Sequence, residues 1–152
     1  MTGKVKSVWL DTNVIIYYLH GKHPDFSPKA QGLINEARQG NIELKVCSLV
    51  ISECVFVLMG RDFRKTKEEI KNILISFINI PGIVMDEKSV IEESLKNFSK
   101  KGIDFTDAYI SAHARLNKPA HIITENIKDF KGLNVLAEVI PAVTKPQQPE
   151  HT

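Results

Sequence analysis

The sequence lacks the features that mark secreted, disulfide-rich and membrane-spanning proteins. Its only two cysteines, Cys47 and Cys54, lie in apolar sequence without C-x-x-C or Cys/His spacing. This pattern excludes a disulfide scaffold and structural zinc, and it indicates buried free thiols. No uncharged apolar run approaches the ~18 residues that a membrane span needs. Because Asp11 and Asn13 interrupt the first apolar segment, a secretory signal is not expected, and we expect a cytoplasmic protein without membrane contact.

The sequence also lacks an excess of charge of one sign. Its 20 basic and 18 acidic residues leave a formal net charge of +2, which is too small to indicate nucleic-acid binding from bulk charge. Any case for nucleic acid must therefore come from a local site. With 152 residues, 43% of them hydrophobic, the chain is long enough for one core and too short for two.

Short segments rich in β-branched and aromatic residues alternate with segments of helical periodicity. The pattern predicts strands at 5–10, 43–47, 83–85, 120–124 and 134–139, and helices at 12–20, 28–39, 49–59, 65–80, 87–100 and around DFTDAYISAHARL. We expect Ser48 to cap the third of these helices. The alternation predicts one three-layer α/β/α domain over residues 1–140, with a central, mostly parallel sheet of four or five strands. Prolines and polar residues at 141–152 predict a disordered tail.

Polar residues follow two of the predicted strands. Asp11 comes directly after the first strand, and Thr124 and Asn126 come after the fourth. Ligands of parallel sheets bind beyond the carboxyl ends of the strands. We therefore expect these side chains to lie on one edge of the sheet.

Two carboxylates in the first half of the chain have competing interpretations. Asp11 could accept hydrogen bonds from the amides of the helix that follows it, because aspartate is a preferred N-cap. Glu53 lies in LVISECVFVLM, where burial of an unpaired charge would be too costly without a partner or a proton. A salt bridge to a distant Arg or Lys, or an exposed position, would also explain it.

A third acidic element is DFTDAYISAHA, at residues 104–114. Asp104, Asp107 and Ser111 share one face of a helix, because they are spaced three and four residues apart. Asp104 could instead be a helix cap, and the helix dipole favours an aspartate near the N-terminus. Asp107 is the better site candidate, since the small residues Ala108 and Ala112 would let the helix lie close to the sheet.

Several carboxylates that converge on one pocket repel each other unless a cation holds them ionised. Carboxylate oxygens and waters are ligands that Mg²⁺ or Mn²⁺ prefers. Such an ion acts as a Lewis acid, activates water and neutralises charge on a phosphodiester. The chemistry that this pattern predicts is therefore metal-assisted phosphodiester cleavage.

Four segments resemble motifs of the PIN-domain nucleases, especially the small VapC-like toxins of toxin–antitoxin pairs. They are LDTNVIIYYL, SLVISECVFVL, DFTDAYISAHA and IITENIKDF, and the resemblance spans residues 8–139. It implies a PIN-like fold, RNA cleavage, a homodimer and a small protein antitoxin whose peptide blocks the acidic pocket. It also implies a set of site residues: Asp11, Glu53 and Asp107 as ligands of Mg²⁺ or Mn²⁺, Asn126 and Thr124 in the same pocket, and Asn13 close to Asp11.

The chain departs from the family pattern at one position. Asn126 stands where many members have a fourth acid, and neither Glu125 nor Asp129 is in register to replace it. Asn126 can ligate through its carbonyl or orient a water, but it adds no negative charge, with Asp104 as a partial compensation. We therefore hypothesise a resting site with one metal ion.

Basic residues near the predicted pocket are candidates for phosphate contacts. Arg61, Arg64 and Lys65 lie in GRDFRKTK after the glutamate helix, and Arg115 follows DFTDAYISAHA. The alternative for each is a solvated surface charge. Phe63 is a candidate for stacking on a single-stranded base, or for burial against the next helix.

Three functions remain open at this point. The leading hypothesis is a metal-dependent endoribonuclease that acts as a toxin. The missing fourth acid favours a PIN-like module that binds RNA or protein with weak or no catalysis. The third is a PIN nuclease in RNA maturation or quality control, outside any toxin pair.

Overall fold

The computed structural model describes residues 3–141, and within them five strands alternate with six α-helices and one 3₁₀ helix. The elements in chain order are β1 (Lys6–Trp9), α1 (Thr12–His20), α2 (Phe26–Arg38), β2 (Ile42–Lys45), α3 (Ser48–Met59), α4 (Lys67–Ile78), β3 (Ile83–Val84), α5 (Lys88–Lys101), α6 (Phe105–Asn117), β4 (His121–Ile123), the 3₁₀ helix (Ile127–Phe130) and β5 (Leu136–Glu138). All five predicted strand segments are present, and the α/β class is confirmed. Except for Pro141, the predicted tail 141–152 lies outside the described residues.

All strand pairs in the described chain are parallel. Backbone hydrogen bonds divide the strands into a sheet of order β1-β2-β3 and a separate pair β4-β5, where we expected one sheet of four or five strands. Val8 lies opposite Leu44, and Leu44 lies opposite Ile83. Asp11 follows β1 after one residue, Leu10, and Thr124 directly follows β4. Each is therefore at the carboxyl end of a parallel strand, as predicted.

The two faces of β1 have different surroundings. Leu10 and Leu44 are buried in a core that also includes residues of α1 to α6. Ser7 and Trp9 point the other way and stay exposed. Alternate residues of a strand face opposite sides, so one side of β1 meets this core and the other carries the exposed side chains. α1 packs against α2 and α3, while α5 packs against both α4 and α6.

Helix α1 begins and ends where the sequence predicts. The side chain of Asp11 caps its N-terminus, and Gly21 ends it in a left-handed conformation at φ 65°. Ser48, in contrast, does not cap α3. It is the first residue of the helix, and Cys47 takes the N-cap position. The Oγ of Ser48 donates a hydrogen bond to Oε1 of Glu87 at 2.6 Å, and such bonds to a carboxylate are strong.

The helices of residues 3–141 are too short or too polar to cross a lipid bilayer.

Gly82 is a position where the fold tolerates no side chain. Its φ is +90°, and a Cβ built there would lie 2.6 Å from the carbonyl carbon of Ala37. We expect Gly82→Ala to lower the free energy of unfolding by about 3 kcal/mol or more, because positive φ and overpacking both oppose it. Urea unfolding monitored by circular dichroism measures this change.

Gly40→Ala is the matched control. Gly40 has φ +80° but open space where the Cβ would lie, so only the backbone cost of about 1–2 kcal/mol is expected. Equal losses of unfolding free energy in the two variants would show that the close approach of Gly82 to Ala37 does not contribute to stability.

Candidate functional site

Thr12 brings two of the predicted acids together. Its backbone N–H donates to Oδ1 of Asp11 at 2.7 Å, and its hydroxyl donates to Oε2 of Glu53 at 2.6 Å. Thr12 is only 4% exposed, so both bonds anchor a carboxylate to the buried start of α1. Sequence reasoning did not identify Thr12, although it lies between Asp11 and Asn13 in the motif.

Of the buried and exposed positions that we considered for Glu53, the structure shows the exposed one. Glu53 is exposed, together with Leu49 (70% exposed) and Phe56 (81% exposed) on the same side of α3. The helix is apolar all around, so its sequence does not show which side meets solvent. The exposed position that we weighed as an alternative is the observed one, and Thr12 orients the carboxylate there.

Asp107 belongs to a second acidic group, on α6. It is half-buried, and its pKa is raised above the usual value of an aspartate, first by burial and then by repulsion from Asp129 and Asp104. Asp104 is at the N-cap of α6 but makes no side-chain capping bond. Two acids thus act on Asp107 in the first turn of this helix.

Asp129 is an acid that the spacing did not place in this group. The 3₁₀ helix after β4 packs against α6, and this brings Asp129 close enough to Asp107 to raise its pKa. Asn126 precedes the same 3₁₀ helix and is exposed, without a side-chain capping bond. Three residues make one turn of a 3₁₀ helix, and Asp129 follows Asn126 by three residues. The KDF segment of IITENIKDF was therefore the signal in the sequence that could have placed Asp129 near the site.

The predicted supporting residues have different positions. Asn13 is exposed on the first turn of α1, beside Asp11. Oγ1 of Thr124 accepts a hydrogen bond from the N–H of Asn126 at 3.1 Å and so shapes the loop after β4. Ser111 is 1% exposed, and its hydroxyl donates to the carbonyl of Asp107 at 2.7 Å. The structure therefore places Ser111 in the packing of α6 and not on the acidic edge.

The basic loop after α3 lies away from Asp11. The rings of Phe63 and His20 are 5.8 Å apart between centroids, which places this loop at the C-terminal end of α1, whereas Asp11 is at the N-terminal end. A nine-residue helix separates its ends by about 12 Å. Arg61 and Arg64 are exposed there, and Lys65 pairs with Glu69 at 3.7 Å. These three residues do not line the acidic edge, which corrects the prediction.

Arg115 also differs from the prediction. Its Nε donates to Oε1 of Glu93 at 2.8 Å, and its Nη2 contacts the same oxygen. Glu93 is on α5, so the guanidinium joins α5 to α6 instead of standing free for a phosphate. A sequence separation of 22 residues gave no indication of this pair.

A cavity of ≈ 290 Å³ lies between the N-terminal turns of α3 and α6. Its lining residues are Ser48, Leu49, Ser52, Phe105, Thr106 and Tyr109. The cavity therefore lies between the two helices that carry Glu53 and Asp107. Its wall is mainly apolar with a few hydroxyls, which suits an apolar side chain better than a charged one.

Glu87 ties together the elements around this cavity. Its carboxylate accepts hydrogen bonds from Ser48 at 2.6 Å and from the hydroxyl of Tyr109 at 2.8 Å, and it pairs with Nδ1 of His113 at 3.1 Å. The bond from Ser48 is the largest cause that lowers the pKa of Glu87, with Tyr109 and His113 adding to it. The Glu87 carboxylate thus has hydrogen-bond donors that stabilise its charge, whereas the neighbours of Asp107 are acids.

Neither cysteine is an activated nucleophile. Burial, and then the charge of Glu53, raise the pKa of the Cys54 thiol to about 12, which confirms the expectation from its apolar neighbours. The prediction of burial holds for Cys54 but is wrong for Cys47, which is exposed. Cys47 lies beyond the end of β2, on the same alternation as Lys45.

The acids fit a hard cation in donor chemistry and charge. Asp11, Glu53 and Asp107 offer carboxylate oxygens, and within residues 3–141 none of them pairs with a Lys, Arg or His. Over the same residues, no three His, Cys, Asp or Glu side chains converge closely enough to form a closed metal site. Side chains of like charge repel each other unless a cation binds them. The carboxylates therefore stay apart, and no basic side chain within residues 3–141 pairs with Asp11, Glu53 or Asp107.

A family model described as PIN domain matches residues 8–145. The match begins within β1 and includes the other four strands and both acidic groups. No curated protein matches the sequence significantly.

Asp107→Asn tests whether the ionised Asp107 carboxylate destabilises the folded protein. Because the folded pKa lies above the unfolded value of about 3.9, the folded protein binds the proton more tightly, and stability falls as pH rises through that window. The variant should therefore be more stable than the parent at pH 7 in a metal-free buffer. The gain should vanish near pH 3, as thermal unfolding followed over pH will show.

Asp25→Asn serves as the control, since Asp25 is exposed beside α2 and makes no capping bond. It should not reproduce the pH-dependent gain. A loss of stability in Asp107→Asn at pH 7 would mean that the ionised carboxylate has a favourable partner.

Proposed function

The chain belongs to the PIN domain family, which has a nuclease-type fold, and we propose that it is a metal-dependent endoribonuclease, the toxin of a toxin–antitoxin pair. The observation that carries the proposal is the pair of uncompensated acidic groups at the carboxyl ends of β1 and β4. The raised pKa of Asp107 shows that its ionised form opposes folding, and perturbed carboxylates of this kind cluster at functional sites.

Asp11, Glu53 and Asp107 would hold Mg²⁺ or Mn²⁺. Asp11 caps α1 through Oδ1, which leaves its Oδ2 for a ligand. When bound, the ion supplies a Lewis acid for the phosphoryl group and a water with a lowered pKa.

The side chains of the site have separable tasks in the hydrolysis of a phosphodiester. A bond forms from a water oxygen to phosphorus while the bond from phosphorus to a ribose oxygen breaks, and that oxygen takes a proton. Thr12 keeps Glu53 aimed at the edge through its hydroxyl. Asn126 is exposed after β4, where its amide can orient the attacking water without adding charge.

Asp129 changes the argument about the missing fourth acid. With Asp129 beside Asp107, the α6 side of the site keeps a surplus of negative charge despite Asn126. This weakens both the hypothesis of a single-metal resting site and the interpretation of the chain as a binding module without catalysis.

The toxin role is supported by the motif resemblance and by two surfaces. The resemblance is to VapC-like toxins, whose antitoxin blocks the acidic pocket, and the ≈ 290 Å³ cavity between α3 and α6 has the apolar wall that such a peptide would need. On α3, Val55 and Leu58 are buried, whereas Phe56 is exposed. Phe56 and Leu49 therefore form the apolar side of α3 that we propose for a homodimer.

Asp11→Asn should remove cleavage and preserve the fold. Asparagine caps helices as well as aspartate but lacks the charge that holds a cation, so the rate should fall on the order of 100-fold or more. The measurement is cleavage of structured and single-stranded RNA with and without Mn²⁺, with thermal unfolding of both proteins.

Asp25→Asn is the matched control, because it makes the same substitution at the N-cap of α2, far from both acidic groups in the chain, and it should cleave normally. Equal traces of cleavage in the parent and in Asp11→Asn would indicate contamination and a module that binds without cleaving.

The toxin role predicts growth arrest. Induced expression in bacterial cells should stop growth, whereas Asp11→Asn at equal abundance should not, since arrest requires cleavage. A small protein should co-purify with the chain when the neighbouring reading frame is expressed. Cleavage in vitro without arrest and without a bound partner would instead favour a nuclease of RNA maturation.

A further inference from the structure

Trp9 is the only tryptophan of the chain, and it lies in an unusual position. It is the last residue of β1, two residues before Asp11, and it is 63% exposed. An indole with this exposure contributes little to the hydrophobic core. Its location beside the proposed catalytic edge therefore needs another explanation.

The backbone directs Trp9 and Asp11 to the same side. Leu10 between them is buried, and its N–H donates to the carbonyl of Lys45 at 2.9 Å, which continues the ladder past the end of β1. Asp11 is extended, with φ −89° and ψ 159°. Alternate side chains of an extended chain share a side and are separated by about 7 Å, so the indole stands next to the Asp11 carboxylate.

Lys45 completes the arrangement from the neighbouring strand. It is opposite Trp9 in the parallel register, and its Nζ is 5.4 Å from the centroid of the ring. Within residues 3–141 Lys45 forms no ion pair with an acid. The cation–π contact orients the ring while the ammonium keeps its hydrogen-bond donors for an anion.

We propose that Trp9 and Lys45 form a stacking platform for an unpaired RNA base next to the phosphate that is cleaved, an inference that rests on the proposed function. The exposed indole stacks on the base, and the ammonium of Lys45 contacts a backbone phosphate. Bases of a duplex have no free face for such stacking. The platform therefore selects single-stranded RNA at the acidic edge.

The surroundings of Trp9 favour nucleic acid over a protein partner. On the same side of β1 Trp9 is separated from the exposed Val5 by the polar Ser7, whose hydroxyl donates to Glu43 at 3.2 Å. A docking face for a protein needs a continuous apolar patch, which Leu49 and Phe56 on α3 provide and Trp9 does not. A single aromatic ring with one cation matches a nucleotide in size and charge.

The single tryptophan makes the platform directly measurable. Adding a ten-nucleotide uridine RNA to the whole protein in EDTA should quench the indole fluorescence, because a base stacks on the ring without being cleaved. A ten-base-pair RNA duplex at the same concentration should cause little quenching. Quenching by the duplex equal to that by the single strand, or absence of quenching by either, would overturn the proposal.

Substitutions separate stacking from charge. Trp9→Ala should weaken binding of a labelled uridine RNA roughly 5- to 150-fold, while Trp9→Phe should retain part of the affinity. Lys45→Gln should reduce the salt dependence of binding by about 0.7 in logarithmic slope. Val5→Ala, on the same side of the chain, and Lys29→Gln, from the cation–π pair with Phe26, are the matched controls and should bind as the parent does.

The outcomes distinguish this inference from the proposed function. Metal-dependent cleavage that Trp9→Ala and Trp9→Phe both retain at parental affinity would refute the platform and leave the nuclease intact. Quenching without any cleavage would support the platform as a binding site and refute the nuclease. A fluorescence change that depends on protein concentration in the absence of RNA would assign Trp9 to a contact between copies and overturn the proposal.

Discussion

The hydrogen bond from the Thr12 hydroxyl to Glu53 is the interaction on which the geometry of the edge depends. Thr12 is buried at the start of α1, and it donates its N–H to Asp11 and its hydroxyl to Glu53. Bonds to ionised acceptors are about twice as strong as neutral ones. One residue of α1 thus sets the positions of a carboxylate after β1 and a carboxylate on α3, although the latter is exposed and would otherwise move freely.

The acids of this chain fall into two kinds according to their partners. Glu87 receives hydrogen bonds from α3 and α6, and its pKa is lowered accordingly. Asp107 has acids as neighbours, and its pKa is raised. The first kind stabilises the fold at neutral pH, whereas the second opposes it and is relieved by a cation. By this criterion Asp107, and not Glu87, is the carboxylate whose charge a cation would stabilise.

The local parts of the structure were predictable from the sequence. The bounds of α1 follow from Asp11 and Gly21, and the strands follow from their β-branched residues. The errors concern contacts between distant segments. The pairing of Arg115 with Glu93, the approach of Asp129 to Asp107 and the bond of Ser48 to Glu87 all depend on how helices pack. The exposure of Glu53 was hidden because an apolar helix carries no periodic signal of its solvent side.

The side chains of β1 and of its extension point alternately inward and outward, and the two sets have different roles. Val8, Leu10 and Thr12 point inward and hold the chain together, whereas Ser7, Trp9 and Asp11 point outward. The outward set contacts few core side chains, so replacing one of its members has little effect on packing. If Trp9 stacks on RNA as proposed, exchange of this aromatic group would change which RNAs bind, while the inward set continues to specify the same fold.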